Sequence, residues 1–348
     1  METYAPGRTG LLLITAEPFN AESPLKTLQA PITTIEHHYV RSHFPVPQHT
    51  GALAVDGAVD RPLTLTLGDL RAWSSATLSV TLECAGNGRQ GLRPIPKGEA
   101  WGWTAVGTAV WTGVPLQAVL ARAGIRPEGH AVIFEGADHG SFQGSPDTRY
   151  IRSLALPEIE RLGEDILLAY AMNGEPLTPD HGAPIRLIVP GWYGMASVKW
   201  LQRIRVAAGP CSGEFQTHSY VYHWPDGSAE PVTTMRVRAL ITSPVAGAVL
   251  MRGMRVIRGK AWSGNGTVTA VEVKVDGGER WQPALLAPSG SSHAWQEWTF
   301  DWNVTQIGRH VLTARAHDST GAVQPDLPVW NEDGYGNNAI EPLIVDVR

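Results

Sequence analysis

A strand that ends in a cysteine and a glycine-rich loop constrains this chain more than any other stretch. Residues 76–93 read A-T-L-S-V-T-L-E-C-A-G-N-G-R-Q-G-L-R. Apolar and polar side chains alternate up to Cys84, which is typical of a half-buried strand that carries this thiol on its apolar face. Gly86-Asn87-Gly88 then breaks the strand, because glycine and asparagine tolerate positive φ and let the backbone approach a ligand closely. Arg89 and Arg93 follow the loop directly. The thiol could therefore ligate a soft metal, and the two arginines could bind an anion next to that metal.

The thiol of Cys84 also has two simpler interpretations. A lone cysteine is often a small buried hydrophobe, and a cysteine paired with a distant histidine can be a nucleophile. The chain has two cysteines, Cys84 and Cys211, which form no CxxC, CxxCH or zinc pattern. The cysteines therefore indicate no iron–sulfur cluster and no c-type haem, and we expect Cys211 to pack as a hydrophobe.

Length and composition set the outer limits. The 348 residues suffice for two domains with a sizeable core. Charged residues make up 18% of the chain and the formal net charge is -5, which does not indicate a nucleic-acid or polybasic membrane-binding protein. No apolar run approaches membrane-spanning length, and residues 11–14 are too few for the apolar region of a signal peptide. We therefore expect a cytoplasmic protein that binds neither nucleic acid nor membrane.

A second polar segment, residues 35–47, contains three histidines and Arg41 between prolines that disfavour a helix. A zinc site is one interpretation, but the spacing fits no common structural site and no cysteine lies nearby. A solvated loop with incidental histidines is the other interpretation that these residues alone leave open.

A third dense stretch, residues 172–201, contains a buried strand over residues 185–189 with prolines on both sides. His181 and Arg186 lie near its start, and glycines, Ser197 and Lys199 follow its end. Separately, such residues are usually solvated surface groups. Together with glycines that free backbone N–H groups, they indicate a cradle for phosphate and a heterocycle.

A change in composition over residues 225–231 predicts two domains, residues 1–228 and 229–348. The first should be mixed β with short helices, so the fold class is α+β. The predicted helices are residues 69–73, 116–123, 156–161 and 165–172. The second should be an all-β immunoglobulin-like sandwich of about 110 residues. Its short β-rich runs alternate with turn signals and cover residues 255–261, 268–275, 295–302 and 309–317.

The loop L-E-C-A-G-N-G-R resembles the cysteine loop of the sulfite oxidase family of molybdopterin oxidoreductases, in the plant and bacterial type without a haem domain. Y-V-R-S-H at residues 39–43 and D-H-G-x-P-x-R at residues 180–186 resemble that family's cofactor segments. P-G-x-x-G and S-V-K-W follow in the family's order. Residues 259–264 and 276–281 resemble the family's dimerisation domain. The resemblance extends over nearly the whole chain, although Gly88 stands where the family usually has a further arginine.

This resemblance implies a Mo-molybdopterin cofactor in which Cys84 supplies the protein's thiolate to molybdenum. It implies that the pterin and its phosphate contact a defined set of residues: Tyr39, Val40, Arg41, Ser42, His43, Cys84, Asp138, His181, Arg186, Ser197, Val198 and Lys199. It also implies four catalytic positions, two arginines that hold an oxyanion and two aromatic residues that shape the pocket: Arg41, Arg89, Trp103 and Tyr220. Most tryptophans fill cores, so Trp103 has that simpler interpretation as well.

The function that the resemblance implies is the molybdenum-dependent oxidation of sulfite to sulfate in sulfur metabolism. Electrons would pass to an external acceptor, a cytochrome or oxygen, and the protein would be a homodimer. Two alternatives remain open at this point. One is a related oxo-transfer enzyme of the same fold, such as a sulfoxide reductase, and the other is a non-catalytic β-rich scaffold.

The chain departs from the family after V-W-N at residues 329–331. Many sulfite oxidases continue there with an arginine that the second domain lends to the substrate pocket, whereas this chain has Glu332 and Asp333. An acid near the pocket repels a doubly charged anion, while an arginine would clamp it. We therefore expect either that this loop points away from the pocket or that the natural substrate is less anionic than sulfite.

The metal assignment predicts about one molybdenum per chain, bound through the pterin and a single thiolate. Cys84→Ser should abolish turnover and leave the fold intact, because one side chain at a loop mouth contributes little to the core. Elemental analysis, circular dichroism and turnover measure the three quantities, and Cys211→Ser is the matched control that should keep full activity. Full activity in the Cys84→Ser protein would exclude this cysteine as the ligand.

Overall fold

The first part of the chain is built from short strands joined by many turns. The computed structural model describes residues 10–278 and 280–348. Its first fourteen strands are β1 (Leu12–Thr15), β2 (Asn20–Glu22), β3 (Leu53–Gly57), β4 (Leu63–Leu65), β5 (Ala76–Glu83), β6 (Val106–Pro115), β7 (Ala131–Phe142), β8 (Ser145–Ala155), β9 (Leu167–Met172), β10 (Glu175–Pro176), β11 (Arg186–Ile188), β12 (Leu201–Ala207), β13 (Val221–His223) and β14 (Ala229–Pro231). The α-helices are α1 (Leu67–Arg71), α2 (Leu116–Ala123) and α3 (Leu156–Leu162).

Two five-stranded sheets dominate this part. One has the strand order β10-β9-β6-β5, and β11 also pairs with β9. The other has the order β4-β3-β12-β7-β8, in which β3 and β12 run parallel and the other pairs run antiparallel. Their core includes Leu53, Val132 and Ile204, which are fully buried. The shortest turns, among them 3₁₀ turns at Ile35–His37, Arg89–Gly91, Pro179–His181 and Gly194–Ala196, carry the polar side chains described below.

The helix predictions at residues 116–123 and 156–161 are confirmed, the one at residues 69–73 overlaps α1, and the one at residues 165–172 is wrong. Helix α2 ends at Gly124, whose φ of 70° is one that side-chain-bearing residues rarely adopt, and α3 extends one residue beyond its predicted end. Residues 167–172 form the central strand β9 instead of a helix. The helix propensity of their Leu, Ala and Met residues is overridden because β9 pairs with three other strands. A central strand that is buried on both faces is apolar throughout, so it lacks the alternation that would have indicated a strand.

The second part of the chain consists of two further sheets around one core. Its strands are β15 (Arg238–Ser243), β16 (Val249–Leu250), β17 (Gly253–Trp262), β18 (Val268–Val275), β19 (Gln282–Pro283), β20 (Leu285–Leu286), β21 (Gln296–Val304), β22 (Gly308–Asp318) and β23 (Leu343–Val347). They form the sheets β15-β17-β21-β20 and β16-β23-β22-β18-β19, whose facing side chains make one hydrophobic cluster. The four predicted strands are therefore confirmed, and the immunoglobulin-like topology stays a prediction.

Two features bear on the predicted domain boundary and motifs. The boundary at residues 228 and 229 falls in the turn of an antiparallel hairpin, in which His223 of β13 pairs with Ala229 of β14. The continuous sheets of the second part begin only at Arg238. Of the predicted dimerisation motif at residues 276–281, Glu279 lies outside the described residues.

The polar face of β5 is buried in its second half, at Thr81 and Glu83, whereas Thr77 is exposed and Ser79 is half-buried. The prediction of a half-buried strand therefore holds only for the first half of β5. Thr81 donates its N–H to the carbonyl of His293 at 2.9 Å, and its hydroxyl accepts the N–H of Trp295 at 2.7 Å. Both partners belong to the second part of the chain. The second part of the chain therefore covers the polar face of β5 at Thr81, near the end of the strand that leads to the cysteine loop.

No helix within the described ranges is both long and apolar enough to cross a membrane.

The packing of β17 against β21 leads to a stability prediction. An added Cβ at Gly259 would overlap the Trp298 ring and the Leu240 carbonyl. Gly259→Ala should therefore lower the free energy of unfolding by about 1–3 kcal/mol, the usual cost of overpacking a core. Denaturant unfolding measures this loss, and Gly290→Ala, at a position with open space around the added Cβ, is the control that should change little. Equal stability of both variants would contradict this account.

Candidate functional site

The cysteine loop forms because β5 ends at Glu83 and the chain turns back on itself. Cys84 donates its N–H to Ala105 O at 2.9 Å and accepts the N–H of Asn87 at 2.9 Å. Gly88 has a φ of 83°, as the Asn-Gly pattern predicts. The thiol is only 6% exposed, and it lines two adjoining cavities. Burial raises the pKa of Cys84, whereas the nearby guanidinium of Arg41 opposes that rise.

The inner of the two cavities is called the cofactor cavity below. Segments far apart in sequence converge on it: the histidine-rich segment, the cysteine loop, β7 and the turns on both sides of β11. Val198, a predicted cofactor residue, is buried and is not among the residues that line this cavity; its carbonyl accepts the N–H of Leu187 at 2.8 Å. All other predicted cofactor residues line the cavity: Tyr39, Val40, Arg41, Ser42, His43, Cys84, Asp138, His181, Arg186, Ser197 and Lys199.

Three buried polar atoms around the cofactor cavity have no hydrogen-bond partner among the described residues. They are Nε2 of His38, Oδ1 of Asp138 and Nε of Arg186. An unpaired buried polar group is costly, so native structures rarely tolerate several around one cavity unless a ligand pairs with them. A carboxylate oxygen, an imidazole nitrogen and a guanidinium N–H suit the edge of a pterin and its phosphate. With the soft thiolate of Cys84 they fit a molybdenum–pterin group.

Burial sets the charge states of the polar groups around the cofactor cavity. It raises the pKa of Asp138 to about 7 and lowers the pKa of Lys199 to about 7, while each of these groups opposes the other's shift by its charge. Lys199 Nζ donates to Ser42 Oγ at 2.7 Å and to Asp180 O at 3.0 Å. Burial also lowers the pKa of His38 to about 4, so this imidazole is neutral. A bound anion or heterocycle would restore hydrogen bonds that burial has removed.

Arg186 and His181 line the cofactor cavity, as predicted from residues 172–201. Arg186 donates to His181 O at 2.9 Å and to Ser197 O at 3.2 Å, and its guanidinium lies 4.8 Å from the Trp111 ring centroid. His181 Nε2 lies 3.1 Å from Ile35 O. These contacts join three segments and fix the direction in which the cation faces the cavity.

The outer cavity, called the mouth below, brings the predicted oxyanion ligands together. Arg41, His43, Cys84 and Tyr220 line both cavities, and Arg89 lines the mouth. Arg41 Nη1 donates to Asn20 Oδ1 at 3.2 Å. The ring of His43 lies 2.7 Å, through Nε2, from the hydroxyl of Tyr220. The structure therefore brings Arg41, Arg89 and Tyr220 together at one cavity beside Cys84. Their catalytic roles stay a prediction.

Tyr220 has a backbone conformation that few residues with side chains adopt, with φ at 58°. Strained positions of this kind persist where the surrounding structure holds them, often at functional sites. The ring of Tyr220 stacks on Tyr335 with centroids 5.3 Å apart, and the Arg152 guanidinium lies 5.6 Å from its centroid. Burial raises the pKa of Tyr220, so its phenol stays neutral.

Trp103 lies elsewhere than the resemblance implies. It lines a separate cavity with Glu22 and Glu341, and its ring packs against the backbone of the cysteine loop. An added Cβ at Gly88 would lie 3.0 Å from that ring and 3.1 Å from Asn337 O, and the φ of 83° would strain any side chain there, so the family's further arginine would be crowded at this position. Trp101, two residues earlier and 1% exposed, lines the mouth in its place.

The acidic loop borders the mouth through Asp333. Asp333 lines it and places its carboxylate 3.0 Å from His223 Nδ1. Its carbonyl accepts a hydrogen bond from Arg89 Nε at 2.9 Å, while Arg89 Nη1 donates to Glu99 O at 2.8 Å. The Asp333 carbonyl therefore helps to hold Arg89 at the mouth, whereas the carboxylate pairs with His223, which is not among the residues that line this cavity. Both expectations for this loop stay open.

Sequence reasoning missed three residues at these cavities. His38 sits beside the predicted Tyr39, and its only signal is the doubled histidine of the segment. Trp101 was overlooked in favour of its neighbour in W-G-W, a motif that leaves both tryptophans open. Tyr335 has no local signal, because only the tertiary structure places its ring 5.4 Å from the Arg89 guanidinium.

Comparisons with known proteins agree with this geometry. Residues 43–215 match the oxidoreductase molybdopterin binding domain, and residues 229–341 match the Mo-co oxidoreductase dimerisation domain. Sulfite oxidase from Gallus gallus is 36% identical over 96% of this chain and 77% of its own length. Nitrate reductase [NADH] 2 from Phaseolus vulgaris is 35% identical over 92% of this chain, which spans 40% of that relative.

A solved structure has the same fold throughout. The sulfane dehydrogenase SoxCD from Paracoccus pantotrophus superposes with a TM-score of 0.83 at 30% identity and covers 100% of this chain and 90% of its own. The cavity residues, the domain matches and the full-length relatives agree on one cofactor, Mo-molybdopterin. The chain belongs to the sulfite oxidase and nitrate reductase family of molybdopterin-dependent oxidoreductases.

Proposed function

We propose that the protein oxidises sulfite to sulfate and passes the electrons to an external acceptor. The observation that carries this proposal is the meeting of Arg41 and Arg89 with Cys84 at one mouth. Similarity to sulfite oxidases at 36% identity supports it, and similarity to nitrate reductases leaves nitrate as a substrate to be tested. A match to a dimerisation domain supports a homodimer.

The charges at the mouth suit a small anion. Arg41, Arg89 and Lys97 provide three cations there, against the carboxylates of Glu99 and Asp333. The two arginines are partly or fully buried, where charge–charge attraction is screened less than at an exposed surface. The excess of positive charge would draw an anion toward the thiol side of the mouth.

In this reaction sulfite and water yield sulfate, two protons and two electrons. The bound molybdenum cofactor would supply the oxygen-transfer and two-electron chemistry. The chain's own residues would bind and orient: Arg41 and Arg89 hold the oxyanion, and Cys84 holds the metal. Tyr220 would keep a neutral hydroxyl at the pocket wall, since His43, whose pKa burial lowers, pairs with it as a neutral ring.

A second candidate is the oxidation of a less anionic sulfur compound, such as a sulfane. Asp333 at the mouth favours it, because a carboxylate there repels a dianion more than a neutral or singly charged substrate. The structural relative SoxCD is a sulfane dehydrogenase, which is in line with this candidate. Both candidates use the same cofactor and the same thiol.

A substrate panel separates the candidates. Purified, molybdenum-loaded protein should oxidise sulfite with ferricyanide or cytochrome c as acceptor, at a higher kcat/KM than it shows for a sulfane compound. Nitrate and a sulfoxide, offered with a reduced dye, should be turned over far more slowly. Oxidation of the sulfane alone would replace the first candidate with the second. No turnover with any of them by loaded protein would support the scaffold alternative.

The two mouth arginines should raise the affinity for an anionic substrate. Arg41→Ala and Arg89→Ala should each cost about 2–4 kcal/mol in kcat/KM, mainly through KM if the charges bind the ground and transition states alike. Arg93→Ala, an exposed arginine just beyond the same loop, is the matched control and should cost little. Steady-state kinetics over a range of salt concentrations measures the effect. A salt dependence unchanged in both mouth variants would argue against the assignment.

Asp333 should weaken sulfite binding by its charge. Asp333→Arg should lower KM for sulfite about tenfold, which corresponds to about 1.4 kcal/mol of binding free energy. Glu332→Arg, an exposed charge reversal one residue earlier, should change KM much less. A wild-type KM already in the low micromolar range, about 1 μM, and insensitive to Asp333→Arg would show that this acid has no part in substrate choice.

A further inference from the structure

A buried carboxylate lies directly behind the metal cysteine and takes its partners from the second part of the chain. Glu83 Oε1 accepts Arg238 Nη1 at 2.8 Å, and Glu83 Oε2 accepts Trp262 Nε1 at 2.9 Å. The side chains of Glu83 and Arg238 are each 2% exposed. Among the described residues, this is the ion pair with the most deeply buried partners.

The same carboxylate also holds the loop that follows the cysteine. Asn87 Nδ2 donates to Glu83 Oε1 at 2.9 Å, and Asn87 Oδ1 accepts Ala105 N at 3.1 Å. These bonds tie residue 87 to the residue before Cys84, so the two ends of the turn cannot separate independently. The position of the thiol therefore depends on where the carboxylate is held.

The second part of the chain holds the loop at another point. Asn337 Nδ2 donates to Gly88 O at 2.7 Å, and Asn337 O accepts Arg238 Nη1 at 3.3 Å. Arg238 thus connects Glu83, before the cysteine, with the residue that holds Gly88 beyond it. Its guanidinium also lies 5.1 Å from the ring centroid of Trp103, which packs against that loop.

We propose that Arg238, with Trp262 and Asn337, positions the molybdenum-ligating cysteine loop, so that the second part of the chain completes the metal site in addition to any role in dimerisation. These three are positioning residues, since their contacts go to the loop's carboxylate and carbonyl and none of them lines the cofactor cavity. The proposal rests on the cofactor assignment and is independent of which sulfur compound is oxidised.

The physical reason is the cost of an unpaired buried charge. Without Arg238 the carboxylate of Glu83 would remain buried with only neutral donors, and the backbone would have to shift to bring it to water. Because Cys84 follows Glu83 directly, such a shift moves the thiol. Groups that orient a metal ligand without touching the metal are often worth about 10–100-fold in metal affinity.

The test uses the full chain in a Cys211→Ser background, so that Cys84 is the only thiol. Two properties of Arg238→Met are measured: molybdenum per folded chain, and the rate at which iodoacetamide alkylates Cys84 in cofactor-free protein. We expect alkylation to be faster and cofactor retention lower, each by about tenfold. Wild-type molybdenum content checks the cofactor assignment separately.

Lys260→Met is the matched control for removing a buried charge. Lys260 is 2% exposed at its side chain and pairs with Glu297 at 2.5 Å in the second part of the chain, without a contact to the cysteine loop among the described residues. It should lower thermal stability and leave both alkylation and molybdenum content nearly unchanged. Equal effects of the two variants would show that Arg238 acts only through general stability.

Trp262→Phe tests the positioning of the cysteine loop if the Arg238→Met protein does not fold. It removes one N–H donor from Glu83 Oε2 and leaves no charge unpaired. We expect a smaller change in the same direction, several-fold in the alkylation rate, at little cost in stability. Folded Trp262→Phe protein with wild-type alkylation kinetics and a full complement of molybdenum would overturn the proposal.

Discussion

The buried ion pair between Glu83 and Arg238 is the contact on which the site most depends. It lies one residue before the metal cysteine and joins the two parts of the chain where no water can screen the charges. A buried ion pair is weak evidence for stability, because the cost of desolvation offsets most of the attraction. Its value here is geometric, since the carboxylate also fixes Asn87 and with it the turn that presents the thiol.

In contrast to the paired charges of Glu83 and Arg238, several polar groups around the cofactor cavity are buried without a hydrogen-bond partner among the described residues. His38, Asp138 and Arg186 each keep a polar atom at its wall that has no hydrogen-bond partner in the part of the chain that the structure describes. The chain accepts this cost because neighbouring hydrogen bonds and aromatic contacts, such as Arg186 on Trp111, hold the groups in place before a ligand arrives. A cofactor that pairs with them recovers the lost hydrogen bonds, which makes a cavity of this kind selective for one ligand shape.

The residues of the mouth must leave a cation available for an anion and also hold that cation in place. Arg89 faces the space where an anion would bind, yet two backbone carbonyls hold its guanidinium, and one belongs to the acidic loop. The loop therefore orients an arginine through Asp333 O while its carboxylate reduces the positive charge nearby. Such an arrangement favours a substrate whose charge is modest, or one whose dianion is held by geometry more than by total charge.

The sequence by itself determined the local features of this protein. Gly88 and Cys84 belong to motifs that depend only on local chemistry, a turn with positive φ and a soft metal ligand. Nearly all of the predicted cofactor residues also line one cavity. Residues 167–172 were misread because helix-forming residues were overridden by pairing with strands distant in sequence. Only the tertiary structure decided that Trp101 faces the mouth while Trp103 does not, and that Asp333 holds Arg89. The contact between Asp333 and Arg89 joins residues 244 positions apart. The two tryptophans differ in the side of the turn on which each ring packs. No local sequence pattern encodes either of these features.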